Sequence, residues 1–223
     1  RVEVSSPEQT RERLPAVLTA LYLMFDAGYH GSLVAEPVRV ELCAEAIRLA
    51  TLLASTAATA TPEVDALLAL MYLHAARTPA RVDAAVDLIA LEHQDRALWD
   101  RELVARGMAH LGASARGDEV STYHLEAGIA AVHAMAPSVE ATPWREISEL
   151  YEKLHARKPT PVVALSRAIA RAQVEGPARG VAALIELPGR ELLEEYPFYW
   201  AALGDLSLRA GDRPRALTWF QRG

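Results

Sequence analysis

The chain has 223 residues, 51% of them hydrophobic and mostly Ala, Leu and Val, which is enough to bury a core without disulfides or metal and favours close-packed helices over sheet, an all-α fold. A formal net charge of −6 and the lack of any Lys/Arg-rich run argue against direct nucleic-acid binding by this chain. No apolar run approaches the roughly 18 residues of a membrane span and no basic-then-apolar leader opens the sequence; with Cys43 as the single cysteine, a cytoplasmic location is expected.

Proline marks the helix starts, because its fixed φ suits the first turn and its missing N–H is not needed there. Ser6, Pro7 and Gln9 form a capping-box pattern that predicts a helix to about Ala27, with Leu14, Val17, Leu18, Leu21 and Phe25 as its buried stripe. His30, between Gly28 and Gly31, is expected in a loop. A second helix starts near Pro37 with Val40, Leu42, Cys43, Ile47, Ala50 and Leu53 on its apolar face, Cys43 being read as a small buried apolar thiol. Thr61-Pro62 opens a third, through Val64, Leu67, Leu68, Met71 and Tyr72.

Between Thr78 and Asp95 the apolar spacing is mixed and fits either a helix or a loop with a short extended piece. Asp95 is the expected cap of the next helix, "RALWDRELVARGMAHL", and "EVSTYHLEAGIAAVHAM" follows a Gly-Asp break. Thr142-Pro143 then opens a helix carrying Ile147, Leu150, Tyr151 and Leu154 in phase.

After Lys158 the sequence repeats. "TPVVALSRAIARAQVEG" with "PARGVAALIELP" makes one helix pair and "YPFYWAALGDLSLRAG" with "DRPRALTWFQRG" a second; Gly176 and Gly211 lie 35 residues apart, as do Leu165 and Trp200. That period is close to the roughly 34 residues of tetratricopeptide (TPR) arrays, whose pattern is W-x2-L-G-x2-Y followed by A-x3-F. Trp200, Leu203, Gly204, Ala216 and Phe220 occupy those places, with Ser207 where the pattern has Tyr. The division expected is a helical domain over 1–158 and TPR-like repeats over 159–223. Because the sequence begins at Arg1 and stops at Gly223 inside a helical pattern, a piece of a longer protein is expected.

The densest polar cluster is "LEHQDRALWDREL". Glu92, His93 and Asp95 carry the chemistry of metal ligands or acid/base groups. A helix N-terminus with acids in its first turn, ion pairs to Arg96 and Arg101, and Trp99 facing inward accounts for the same residues more simply. His124 and His133 fall on opposite faces of one helix and do not pair as ligands, and His74 reads as an interior or boundary residue. There is no Gly-rich phosphate loop, H-E-x-x-H, paired C-x-x-C or G-x-S-x-G, so neither catalytic residues nor a cofactor or metal is expected.

The runs "RLPAVLTALYLMFDAGY" (13–29), "LCAEAIRLATLLA" (42–54), "LLALMYLHAAR" (67–77), "LEHQDRALWDREL" (91–103), "YHLEAGIAAVHAMAPS" (123–138) and "PVVALSRAIARAQVEGPARGVAAL" (161–184), in that order, resemble the C-terminal extension of a group of bacterial extracytoplasmic-function (ECF) sigma factors. That family's D-Q-D-R-x-x-W-D stretch is matched by Gln94, Asp95, Arg96, Trp99 and Asp100, with His93 at the first acid. Its histidine-aspartate-alanine-arginine run stands here as His74, Ala75, Ala76 and Arg77, and its asparagine as Ser166.

The resemblance implies regulation of transcription initiation through contacts with the sigma modules of the same polypeptide, RNA polymerase or a regulatory protein. Partner contacts are placed on the polar segment, at Glu92, Gln94, Asp95, Arg96, Trp99 and Asp100, and on the inner face of the terminal repeats, at Arg167 and Ser207. For the polar segment an intramolecular clasp between helices is the alternative. For the whole chain the alternatives are a stand-alone TPR-type adaptor binding a peptide or protein, and an enzyme or small-ligand binder using the Glu92 to Asp100 cluster.

Overall fold

The computed structural model describes residues 6–31, 37–81 and 89–223. The described residues are all-α: ten helices pack as sequential antiparallel pairs, with short 3-10 turns and no strand. No described helix is long and apolar enough to cross a membrane. The chain forms two compact units, residues 1–141 and 142–223.

The first unit contains α1 (Pro7–Gly31), α2 (Pro37–Ser55), α3 (Pro62–Ala75), α4 (Arg101–Ser114) and α5 (Thr122–Met135). The capping box forms as read: the Gln9 N–H donates to Ser6 Oγ at 3.2 Å and the Ser6 N–H to Gln9 Oε1 at 3.0 Å. The stripe behind it is Leu14, Leu18, Leu21 and Phe25, continued by Tyr29; Val17, expected in it, is exposed. α1 also runs on through Gly31 rather than ending at a loop before His30. The side chains of His30 and Val40, and the part of the uncertain stretch at 82–88, lie outside the described residues. The rest of that stretch forms 3-10 turns at Thr78–Ala80 and Leu91–His93.

The centre of the unit is α3. Its cap is Thr61, whose hydroxyl accepts from the Val64 N–H, and every residue from Val64 to Leu73 is buried. A helix apolar on all sides needs neighbours on all sides; α1, α2, α4 and α5 each pack on it. Burying a side chain such as Leu67, Leu68 or Met71 contributes about 1.5–3 kcal/mol relative to leaving it exposed. Arg81 ties the end of this region back to α1, donating to the Tyr29 carbonyl at 2.9 Å with its guanidinium carbon 3.6 Å from the Tyr29 ring centroid. Cys43 is half-buried on α2 and donates to the Phe25 carbonyl; burial pushes its thiol pKa up to about 11, which keeps it protonated.

The second unit contains α6 (Trp144–Arg157), α7 (Pro161–Glu175), α8 (Pro177–Ile185), α9 (Pro197–Arg209) and α10 (Arg213–Phe220), each packed on the next. Since α6 packs on α7, this unit starts at Thr142 rather than at the expected 159. The turn chemistry follows the repeat reading. Gly176 (φ 98°) and Gly211 (φ 87°) take the left-handed backbone, and Asp212 caps α10 by accepting from the Arg215 N–H at 3.1 Å. The repeat positions Trp200, Leu203, Gly204 and Ala216 are buried, and Gly204 lies directly under the Phe220 ring. Trp219 stacks on Trp200 at 5.7 Å and 23°, a contact outside the repeat pattern.

Candidate functional site

The polar segment becomes a clasp within the first unit. Asp95 caps a 3-10 turn, Arg96–Leu98, rather than a long helix, by accepting from the Ala97 N–H at 2.9 Å. The helix proper begins later, where the Asp100 carboxylate accepts from the N–H groups of Glu102 (2.9 Å) and Leu103 (3.0 Å). The Asp100 N–H in turn donates to the Ala76 carbonyl at 2.9 Å, so this cap is fastened to the end of α3.

Arg96 reaches the other way. Its Nη1 donates to the carbonyls of His133 (2.7 Å) and Ala136 (2.6 Å), satisfying acceptors at the C-terminus of α5, where a cation also complements the helix dipole. Trp99, 3% exposed, has two guanidiniums over its ring, Arg96 at 5.3 Å and Arg77 at 5.6 Å from the centroid. Gln94 closes the arrangement: its Oε1 accepts from Arg77 Nε at 3.3 Å and its Nε2 donates to the Ile89 carbonyl at 3.0 Å.

The electrostatics follow from this crowding. Burial, then the neighbouring Arg77, lowers the Arg96 pKa against the opposing pull of Glu140. Burial, then Arg77 and Arg96, pushes His133 down to about 3, so His133 is a neutral imidazole.

Among the expected contact residues, the structure therefore brings Gln94, Arg96 and Trp99 together as internal ties. Gln94 and Trp99 are buried too deeply to present a surface to a partner; Asp95 and Asp100 are exposed although both carboxylates serve as caps. Glu92 and His93 stand 4.0 Å apart on their 3-10 turn, and among the described residues no group of three or more His, Cys, Asp or Glu is placed to hold a metal ion. His124 serves the start of α5, accepting at Nδ1 from the Ser121 N–H at 3.1 Å. His74 sits edge-on to Tyr29.

In the second unit Arg167, half-buried on α7, reaches Glu152 on α6 at 3.3 Å. Ser207 is 1% exposed and its hydroxyl has no hydrogen-bond partner. It faces inward with Leu203 one turn before it, which removes it from the expected contact surface.

A polar cluster that sequence reading missed joins α3 to the end of α4. Buried Asp65 meets His110 Nδ1 at 2.8 Å and Arg116 Nη2 at 3.2 Å, and the His110 ring stacks on Tyr72 at 5.7 Å. These partners are 45 and 51 residues apart, with no local pattern to connect them.

No solved structure matches this chain. An uncharacterized protein of Rhizobium meliloti (strain 1021) is 40% identical over 211 residues, covering 95% of this chain and 49% of the relative. The chain thus spans about half the length of that curated relative. Residues 13–115, which carry most of α1, all of α2 to α4 and the clasp segment, match the model of a family described as a family of unknown function (DUF6596).

Proposed function

We propose that this chain is a regulatory C-terminal part of an ECF-type sigma factor, acting on transcription initiation through protein–protein contacts. The observation that carries the reading is the ordered series of motifs between residues 13 and 184. They fall in turn on α1, α2, α3, the clasp, α5 and the α7–α8 pair, so the resemblance follows the layout of the fold. The length of the relative, about twice that of this chain, accords with a helical part that accompanies other modules. Contacts with sigma modules, polymerase or a regulatory protein would fall on the exposed rim of the clasp and on α7.

The test is binding and transcription together. Purified chain is titrated into RNA polymerase core and into ECF sigma modules encoded upstream of the Arg1 codon, and initiation is measured with and without it. Expected are saturable binding and a change in initiation rate, both weakened by Arg101→Glu, a reversal at the exposed first residue of α4. Absence of sigma modules upstream, or no binding to either component, would sink the proposal. Binding of an unrelated peptide under those circumstances would leave the TPR-type adaptor.

A further inference from the structure

Within the second unit the α7–α8 pair and the α9–α10 pair can be laid on one another residue by residue. Gly176 and Gly211, both in the left-handed region, stand 35 residues apart, and Val181 and Ala216, in the same register, are both buried. That register sets Gly180, Leu184 and Leu187 opposite Arg215, Trp219 and Arg222. The first three are buried, Leu184 completely. Helix α9 lies against them: Leu206 Cδ1 comes within 2.9 Å of where a Gly180 Cβ would stand, and the Tyr199 hydroxyl donates to the Leu184 carbonyl at 3.1 Å. At the corresponding positions of α10, Arg215 and Arg222 are exposed and Trp219 is half-buried, and among the described residues α9 is the helix packed closely on α10. Helical repeats bury such a face by stacking a further helix on it, so the preceding pair identifies the shape of the missing occupant as a helix.

The charge of the face identifies its chemistry. The guanidiniums of Arg215 and Arg222 lie 5.8 Å and 5.4 Å from the Trp219 ring centroid, and Arg222 is also 5.4 Å from that of Trp200. Among the described residues neither arginine, nor Arg213 beside them, has a carboxylate within ion-pair distance. The two acids of the α9–α10 pair are engaged elsewhere: Asp205 meets Arg209 at 3.3 Å, and Asp212 caps α10 through the Arg215 N–H. The face therefore carries uncompensated positive charge in a chain of net charge −6. The buried indole Nε1 of Trp219 has no hydrogen-bond partner, which leaves a donor at the same place.

We propose that the Arg215–Trp219–Arg222 face of α10 docks an acidic amphipathic helix of a partner protein, its carboxylates on the two guanidiniums and its apolar stripe over Trp219. Arg215 and Arg222 are seven residues apart, about 10.5 Å along a helix, so the matching carboxylates stand seven residues apart on the partner with an apolar residue between them. Guanidinium–carboxylate pairing supplies the specificity and the indole the desolvated contact. The surface is separate from those named for the sigma-factor reading and does not depend on it.

A phage library of helix-forming 18-residue peptides, randomised over one face, is selected on the 223-residue chain and counter-selected on the Arg215→Glu, Arg222→Glu double variant. Circular dichroism establishes that this variant is folded, and Arg215→Gln, Arg222→Gln takes its place if it is not. The enriched peptide is made with a fluorescent label, alongside its Asn/Gln counterpart. Expected are Asp or Glu seven residues apart around an apolar residue, and anisotropy binding weakened about tenfold or more by either double variant or by the amide counterpart. The Trp219 indole N–H resonance should shift on binding while that of Trp99 stays. No enrichment, enrichment of neutral or basic peptides, binding unchanged in the variants or an unmoved Trp219 resonance overturns the proposal. Self-association of the free chain that the double variant abolishes would assign the face to a second copy, and loss of peptide binding in the full-length gene product would assign it to a helix of the same polypeptide; either result overturns the partner helix. Peptide binding without binding of sigma modules or polymerase leaves this face standing and overturns the proposed function; the converse overturns the face alone.

Discussion

His133 is 6% exposed, and its depressed pKa of about 3, caused by burial and then by Arg77 and Arg96, makes it a reporter of the clasp. In the unfolded chain an imidazole titrates near 6.5. Below that pH the unfolded state takes up a proton that the folded state refuses, so stability is full above pH 6.5 and falls as the pH drops toward 3. The slope approaches 1.4 kcal/mol per pH unit, about 2 kcal/mol between pH 7 and pH 5. The perturbation is His133→Gln, which removes the titration and keeps a polar side chain. Urea unfolding is followed through the indole N–H resonance of Trp99, a probe of the first unit, at both pH values. The variant starts less stable at pH 7 because the site is packed around a ring, yet it should lose about 2 kcal/mol less than the wild type on acidification. Equal acid losses in the two proteins, or a folded-state His133 resonance that titrates near its ordinary pKa, would refute the reasoning.

Two further predictions concern the second unit. A Cβ at Gly180 would collide with the Ala172 Cβ and come within 2.9 Å of Leu206 Cδ1, so Gly180→Ala should destabilise this unit by about 1–3 kcal/mol despite its better helix propensity. A raised thermal midpoint in that variant would contradict the close packing of α8 between α7 and α9. Ser207→Ala removes a buried hydroxyl without a partner and should stabilise by up to about 1 kcal/mol, measured by urea midpoint; a loss of similar size would mean that the hydroxyl is satisfied.

Local chemistry was legible in the sequence wherever a few neighbouring residues decide the outcome. The Ser6–Gln9 capping box and Thr61 before Pro62 stand where their spacing placed them, and Gly176 and Gly211, 35 residues apart, both fall at turns between paired helices. Most of the buried face of α1 followed from helical periodicity, because a stripe three or four residues apart has one side to hide; in the α9–α10 pair the repeat positions Trp200, Leu203, Gly204 and Ala216 are buried while Phe220 is left about half exposed. Near the clasp the same rules misplaced the start of a helix. Asp95 and Asp100 are equally good caps by type, and only the bond from the Asp100 N–H to the Ala76 carbonyl, across 24 residues of sequence, selects the second for α4.

Tertiary structure alone decided the rest. Whether Glu92 to Asp100 forms a surface or a clasp depends on Arg96 finding the end of α5, 37 and 40 residues away. The exposure of Val17, the burial of Ser207, the Asp65–His110–Arg116 cluster and the union of α6 with α7 likewise depend on which helix lies opposite. Caps and periodicity are set by hydrogen bonds and side chains within one or two turns and can be read along the chain. Burial and pairing are set by neighbours distant in sequence, and these exist only once the helices have packed.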